Sequence, residues 1–123
     1  MFDNVEVVYA YTRKQAIQDG VLIDVTKTAK EAGFKYPVAI TEGVWNGYIV
    51  PPAGVVDDTE GRLWDVLFMA GIIIRSTKNP PNPMLFKVGF RTKNGFKETK
   101  LKIHCGPGDQ GEPVITIMLP HED

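Results

Sequence analysis

The feature that most constrains the fold is a proline-rich break, Asn79-Pro80-Pro81-Asn82-Pro83, which divides the chain into two unlike parts. Proline lacks the backbone N–H that a helix needs, so no helix can continue through this run. The part before the break carries helix start and stop signals, and the part after it alternates apolar with polar residues. The sequence therefore predicts helices first and a β-sheet afterwards, which is an α+β fold.

The longest predicted helix runs from Thr59 to about Ser76, with Thr59 as its expected N-cap. Apolar residues surround nearly the whole middle of this helix, so we expect it to be buried on more than one side. Residues 71–74 allow two interpretations, because their β-branched run also favours a strand. Shorter helices and extended pieces are predicted at residues 13–19, 21–25, 27–32, 38–40 and 41–48.

Three strands are predicted after the break, at residues 84–92, 96–105 and 113–119. The turn Lys93-Asn94-Gly95 joins the first two, because Asn-Gly accepts the positive φ of a tight hairpin. A further strand at residues 5–9 would extend the sheet. The predicted fold is one α+β domain, residues 1–123, in which N-terminal short helices and one long buried helix pack on a C-terminal three- to four-stranded antiparallel sheet.

A net charge of -1 conceals a strong sorting of charges along the chain. Residues 1–74 carry a net charge of -4, residues 75–104 carry +7, and residues 105–123 carry -4. Successive side chains of a strand point to opposite faces. Lys87 and Arg91 therefore share one face of the first strand, and Lys100 and Lys102 share one face of the second. We expect a hairpin with one basic and one apolar face.

Two explanations fit the basic face. It is either a solvated surface, neutralised by the flanking acidic segments, or a contact surface for an acidic protein or a nucleic acid. We expect no aromatic residue among its cations, and an isoelectric point near 6.1 is low for a nucleic-acid-binding domain. A second candidate partner surface would form if Tyr11 and Trp45 were exposed together.

The sequence predicts no catalytic residue, metal site or cofactor. The run Gly106-Pro107-Gly108-Asp109-Gln110-Gly111 has the letters of a dinucleotide-binding motif, but a strand follows it, so we expect a turn. Cys105 is expected on the apolar face as a buried, inert thiol. The alternative function is a small enzyme or ligand binder that uses Asp24, Asp57 or Asp58 in a cleft between helices and sheet.

Several strings of the chain carry a family resemblance. They are Tyr11-Thr12-Arg13-Lys14-Gln15-Ala16-Ile17-Gln18-Asp19-Gly20-Val21-Leu22-Ile23-Asp24-Val25, then Pro37-Val38-Ala39-Ile40-Thr41 with Val44-Trp45, then Gly106-Pro107-Gly108-Asp109-Gln110-Gly111-Glu112-Pro113-Val114-Ile115-Thr116-Ile117-Met118-Leu119-Pro120. Together they resemble a family of short, uncharacterised bacterial proteins that are often found on plasmids, phages and other mobile elements. The resemblance implies a bacterial cytoplasm and a mobile-element setting, and no activity. A cytoplasmic protein without a membrane partner is also expected because the N-terminus lacks a signal-peptide pattern and the apolar run at residues 66–74 is too short to span a bilayer.

Overall fold

The structure is a computed structural model that describes residues 11–123. The strand expected at residues 5–9 lies outside the described residues. The elements, in chain order, are α1 (Arg13–Gln18), β1 (Leu22–Asp24), α2 (Thr26–Glu31), β2 (Val38–Thr41), α3 (Glu42–Val44), which continues as a π-helical segment (Trp45–Ile49), α4 (Thr59–Ser76), β3 (Met84–Thr92), β4 (Gly95–Pro107) and β5 (Pro113–Met118).

The strands form one five-stranded mixed sheet in the order β1-β2-β5-β4-β3. Strands β2 and β5 are parallel, whereas the other neighbours are antiparallel. The predicted α+β class and the three strands after the proline-rich break are confirmed. The expectation of a purely antiparallel sheet of three or four strands is wrong, because two short extended segments from the first half of the chain, β1 and β2, join the same sheet.

Strand β2 lies in the interior of the sheet. Val38, Ala39 and Ile40 are all fully buried, although they are consecutive and therefore point to both faces. A continuous apolar run of this kind is typical of a strand that is covered on both faces and paired in parallel. The extended piece predicted at residues 38–40 is confirmed, but a strand of four residues shows too little alternation to predict that it belongs to the sheet.

Helix α4 packs on what we call the inner face of the sheet, against the buried residues of β3 and β4. Residues 71–74 belong to this helix, which settles the ambiguity. Its N-cap is Asp58, whose side chain accepts a hydrogen bond from the Gly61 N–H, rather than Thr59. The expectation that the helix is buried on more than one side is wrong. Phe68, Met69 and Ile72 are exposed, because within residues 11–123 the sheet covers only the opposite side of the helix.

Helix α1 lies on the outer face of the sheet, over β5. Arg13 Nη1 donates to Thr116 Oγ1 at 2.7 Å, and Arg13 Nη2 donates to the Ile115 carbonyl oxygen at 2.8 Å. Thr116 points to the face opposite Ile115 and Ile117, so α1 and α4 lie on different faces. The outer face of β3 and β4 carries no helix in the part of the chain that the structure describes.

Strand β3 stands at one end of the strand order. Nine residues long, it pairs along its whole length with β4, from Met84 opposite Ile103 to Thr92 opposite Gly95. Among residues 11–123, no helix has both the length and the apolar character needed to cross a membrane.

Candidate macromolecule-binding face

The strand register brings the predicted basic residues together. Lys87 lies directly opposite Lys100, and Leu85 lies opposite Lys102. The residues that alternate with these on β3 are buried on the inner face, so the cations belong to the outer face. We call this surface the hairpin face and define it by the outward residues of β3 and β4, Leu85, Lys87, Gly89, Arg91, Phe96, Glu98, Lys100 and Lys102.

An aromatic residue does lie on this face, so the expectation that none does is wrong. Phe96 is opposite Arg91 and 72% exposed. The Arg91 guanidinium carbon lies 5.0 Å from the centre of the Phe96 ring, within the range of a cation–π contact. The signal was present in the sequence, because Phe96 has the same strand parity as Lys100 and Lys102.

Within residues 11–123, the acidic segments that flank the hairpin face in sequence place no carboxylate in an ion pair with its cations. Two side-chain ion pairs occur within residues 11–123, Arg62 with Asp57 and Lys87 with Glu98, and neither joins the basic block to an acidic one. The Lys87 Nζ to Glu98 Oε1 distance is 3.7 Å and both side chains are exposed, so this pair contributes little. Ion pairs with the flanking acidic segments therefore do not neutralise these cations in the part of the chain that the structure describes.

Lys102 differs from the other three cations. It is half-buried, and its Nζ donates to the backbone carbonyl of Glu122. This lysine therefore holds the C-terminal segment against β4, and its charge is less available to a partner than those of Lys87, Arg91 and Lys100.

A buried arginine fixes β3 to the helical layer beneath it. Arg62 is 3% exposed, and its guanidinium donates to the backbone carbonyls of Arg91 and Tyr48, the latter at 2.7 Å. Its Nε donates to Asp57 Oδ2 at 3.1 Å, and its guanidinium carbon lies 5.3 Å from the Phe90 ring centre. The backbone at Arg91, and with it the tip of the hairpin face, is thus tied to α4 and to the π-helical segment.

A small hollow of about 110 Å³ lies beside Phe96. Two carboxylates line it, Asp57 and Asp65. Burial, and then the negative charge of Asp57, raises the pKa of Asp65 above its ordinary value. The hollow therefore brings negative charge close to one edge of the otherwise basic hairpin face.

The structure does not place Tyr11 and Trp45 in one pocket. Tyr11 is exposed, its hydroxyl donates to Asp19 Oδ2 at 2.8 Å, and it lines a groove of about 980 Å³ on the outer side together with Lys102 and His104. Trp45 is half-buried and packs against the hydrophobic core. An exposed cluster of the two aromatic residues is therefore not formed.

The glycine-rich run at residues 106–111 spans the end of β4 and the connection to β5, as expected. The Asp109 side chain of this run forms hydrogen bonds with the backbone of α1. Asp109 Oδ1 accepts from the Arg13 N–H at 2.8 Å, and Asp109 Oδ2 accepts from the Lys14 N–H at 3.0 Å. The hydrogen bonds from Lys14 and then Arg13 lower the pKa of Asp109. The turn thus caps α1 from 95 and 96 residues away in the chain, and the N–H groups of Gly108, Gln110 and Gly111 donate to acceptors within the turn.

The carboxylates of the alternative function lie in different places, Asp24 in one cleft and Asp57 in another. Asp24 lines a cleft of about 340 Å³ with Asp109 and Glu112, and its Oδ1 accepts from the Thr26 N–H at 3.0 Å. Asp57 pairs with Arg62, and Asp58 caps α4. In the described part of the chain, no three His, Cys, Asp or Glu residues are grouped so that they could hold a metal ion.

Cys105 is exposed, so the expectation of a buried thiol is wrong. The pairing of β3 with β4 ends at Met84 and Ile103, and β4 continues beyond it. By strand alternation Cys105 belongs to the inner face of the sheet, but no residue of β3 lies opposite it.

The fold and this face define a class of protein, an α+β protein with an open, basic and partly aromatic sheet surface. The family model of DUF6573, a family of unknown function, matches residues 1–123, and the chain belongs to that family. The expected membership of an uncharacterised family is thereby confirmed. No curated protein matches the chain. No solved structure matches it either.

Proposed function

We propose that this protein is a non-enzymatic module that binds an anionic macromolecule through the hairpin face. The observation that carries the proposal is the direct opposition of Lys87 and Lys100, with Arg91 on the same exposed surface. Like charges opposite each other destabilise a sheet. A polyanion bound across them would replace this repulsion with attraction.

The shape of the surface supports a macromolecular partner. The hairpin face is the outward side of two paired strands, whereas small molecules are usually bound in concave, mostly apolar pockets. Its tip is held to α4 by Arg62, so little ordering is needed on binding. A single α+β domain in a bacterial cytoplasm, carried by a mobile element, is the setting that we propose for this module.

The test is a charge reversal with a matched control. One variant combines Lys87→Glu, Arg91→Glu and Lys100→Glu, and the control combines Lys27→Glu, Lys30→Glu and Lys78→Glu at exposed positions away from the face. Affinity capture from host lysate is run at low and high salt, with and without nuclease. We expect the native protein and the control to capture the same material at low salt, and the hairpin variant to lose it.

Circular dichroism and an unfolding curve check that both variants fold. Capture by the hairpin variant that matches native capture would contradict the proposal. Equal loss in both variants would contradict it as well, because only net charge would then matter.

A further inference from the structure

We infer that the anionic macromolecule is a single-stranded nucleic acid, with phosphates at Lys87, Arg91 and Lys100 and a base stacked on Phe96. The inference rests on the proposed function, because both use the hairpin face. It goes further by assigning a role to the ring, which an acidic protein would not require.

The Phe96 ring is presented as a platform. It is 72% exposed, and Arg91 lies against it at 5.0 Å, which orients the ring. The neighbouring residue on β3 is Gly89, whose missing Cβ would lie 3.9 Å from Phe96 Cδ1. Every nucleobase has a π-face, so an exposed phenylalanine ring can stack on any of the bases, whatever the sequence of the strand.

The cations continue from the ring along the strands. Lys87 is four residues from Arg91, which corresponds to about 13 Å along a strand. Lys100 lies opposite Lys87, and the 52% exposed Leu85 follows on β3. Cations that track a backbone, together with an aromatic side chain for the bases, form the usual surface for single strands.

Acidic groups limit the path of the phosphates. Glu98 lies on the face between Phe96 and Lys100, and Asp57 and Asp65 line the hollow beside the ring. Their charges repel phosphates, so the nucleic-acid backbone is expected to follow the cations Lys87, Arg91 and Lys100, with only a base over Phe96. In a duplex the faces of the bases are already stacked, so the ring favours single strands.

The test separates the ring from the charges. Fluorescence anisotropy measures binding of labelled oligothymidylate of about 20 nucleotides, which is longer than the sites of about 4–16 nucleotides that single OB folds occupy. Phe96→Ala is expected to weaken this binding about 5- to 100-fold. Retention of the same variant on immobilised heparin should equal that of the native protein. The control is Phe68→Ala, which removes a 53% exposed ring from α4 and should change neither measurement.

The outcomes distinguish this inference from the proposed function. If Phe96→Ala binds oligothymidylate as the native protein does, while the triple charge reversal abolishes binding, the stacked base is wrong and the anionic partner stands. Binding of poly-glutamate without binding of oligonucleotide would make the partner an acidic protein and overturn the inference. If the triple reversal changes binding to none of the three polyanions, the proposed function fails as well. A native unfolding midpoint for each variant shows that the fold is kept.

Discussion

Among single residues, Arg62 joins three separate parts of the structure. Its guanidinium is buried, and its partners come from the π-helical segment, from the loop just before α4 and from β3. A buried guanidinium keeps its charge, so each N–H group needs an acceptor. The backbone carbonyls of Tyr48 and Arg91 are two of these acceptors, and each would lose a hydrogen bond if Arg62 were replaced.

Arg62→Leu is expected to lower the free energy of unfolding by about 2–3 kcal/mol, because it removes several charge-assisted hydrogen bonds. Urea denaturation followed by circular dichroism measures the loss. The control is Arg75→Leu in the last turn of the same helix, where the exposed cation should contribute at most about 1 kcal/mol. Equal losses in the two variants would show that Arg62 has no special structural role.

The residue-level assignments differ in how far sequence could predict them. The common face of Lys87, Arg91 and Lys100 follows from strand parity, and so does the position of Phe96. Arg62 could not be predicted in the same way, because its carbonyl partners are 14 and 29 residues away. Only the tertiary structure decides which backbone groups a buried side chain meets.

Among the elements, α1 depends on a loop from the other end of the chain. Asp109 accepts from two backbone N–H groups at the start of α1, which normally lack intrahelical partners. Its pKa is lowered in the folded state, so the stabilisation is present above the ordinary pKa of about 3.8 and is lost as the pH falls through the folded value.

Asp109→Asn should therefore reduce stability at neutral pH, and the difference from the native protein should shrink as the pH falls below about 4. Urea unfolding at a series of pH values measures this difference. Glu31→Gln, which removes one exposed charge on α2, controls for the change in net charge. A difference that stays constant across the acid range would show that the Asp109 charge does not contribute.

The difference between local and distant contacts also explains which helices and strands could be predicted from the sequence. The long helix and the three strands after the proline-rich break carry their signals in their own residues, so their positions were predicted closely. Strands β1 and β2 have three and four residues, and their place in the sheet depends on pairing with each other and with β5. Parallel pairing leaves no turn signal in the sequence, because the partners are far apart in the chain.

Across the whole molecule, the charge sorting predicts a salt dependence. Each phosphate contact with a single strand contributes about -0.7 to the slope of log K against log salt. Three contacts, by Lys87, Arg91 and Lys100, should therefore give a slope of about -2 for oligothymidylate. Anisotropy titrations at several salt concentrations measure it, and the triple reversal should bring it close to zero. A slope near zero for the native protein would exclude phosphate contacts.

The position of β3 at the edge of the sheet affects which residues should replace Lys87 and Arg91 in charge variants. Within residues 11–123 its backbone pairs only with β4, so one row of N–H and C=O groups on a nine-residue strand faces away from the sheet. Exposed edges of this length template association between copies, and charged side chains prevent it by mutual repulsion. We therefore expect Lys87 and Arg91 to oppose association between copies, so that neutral replacements promote aggregation, whereas glutamate preserves the repulsion.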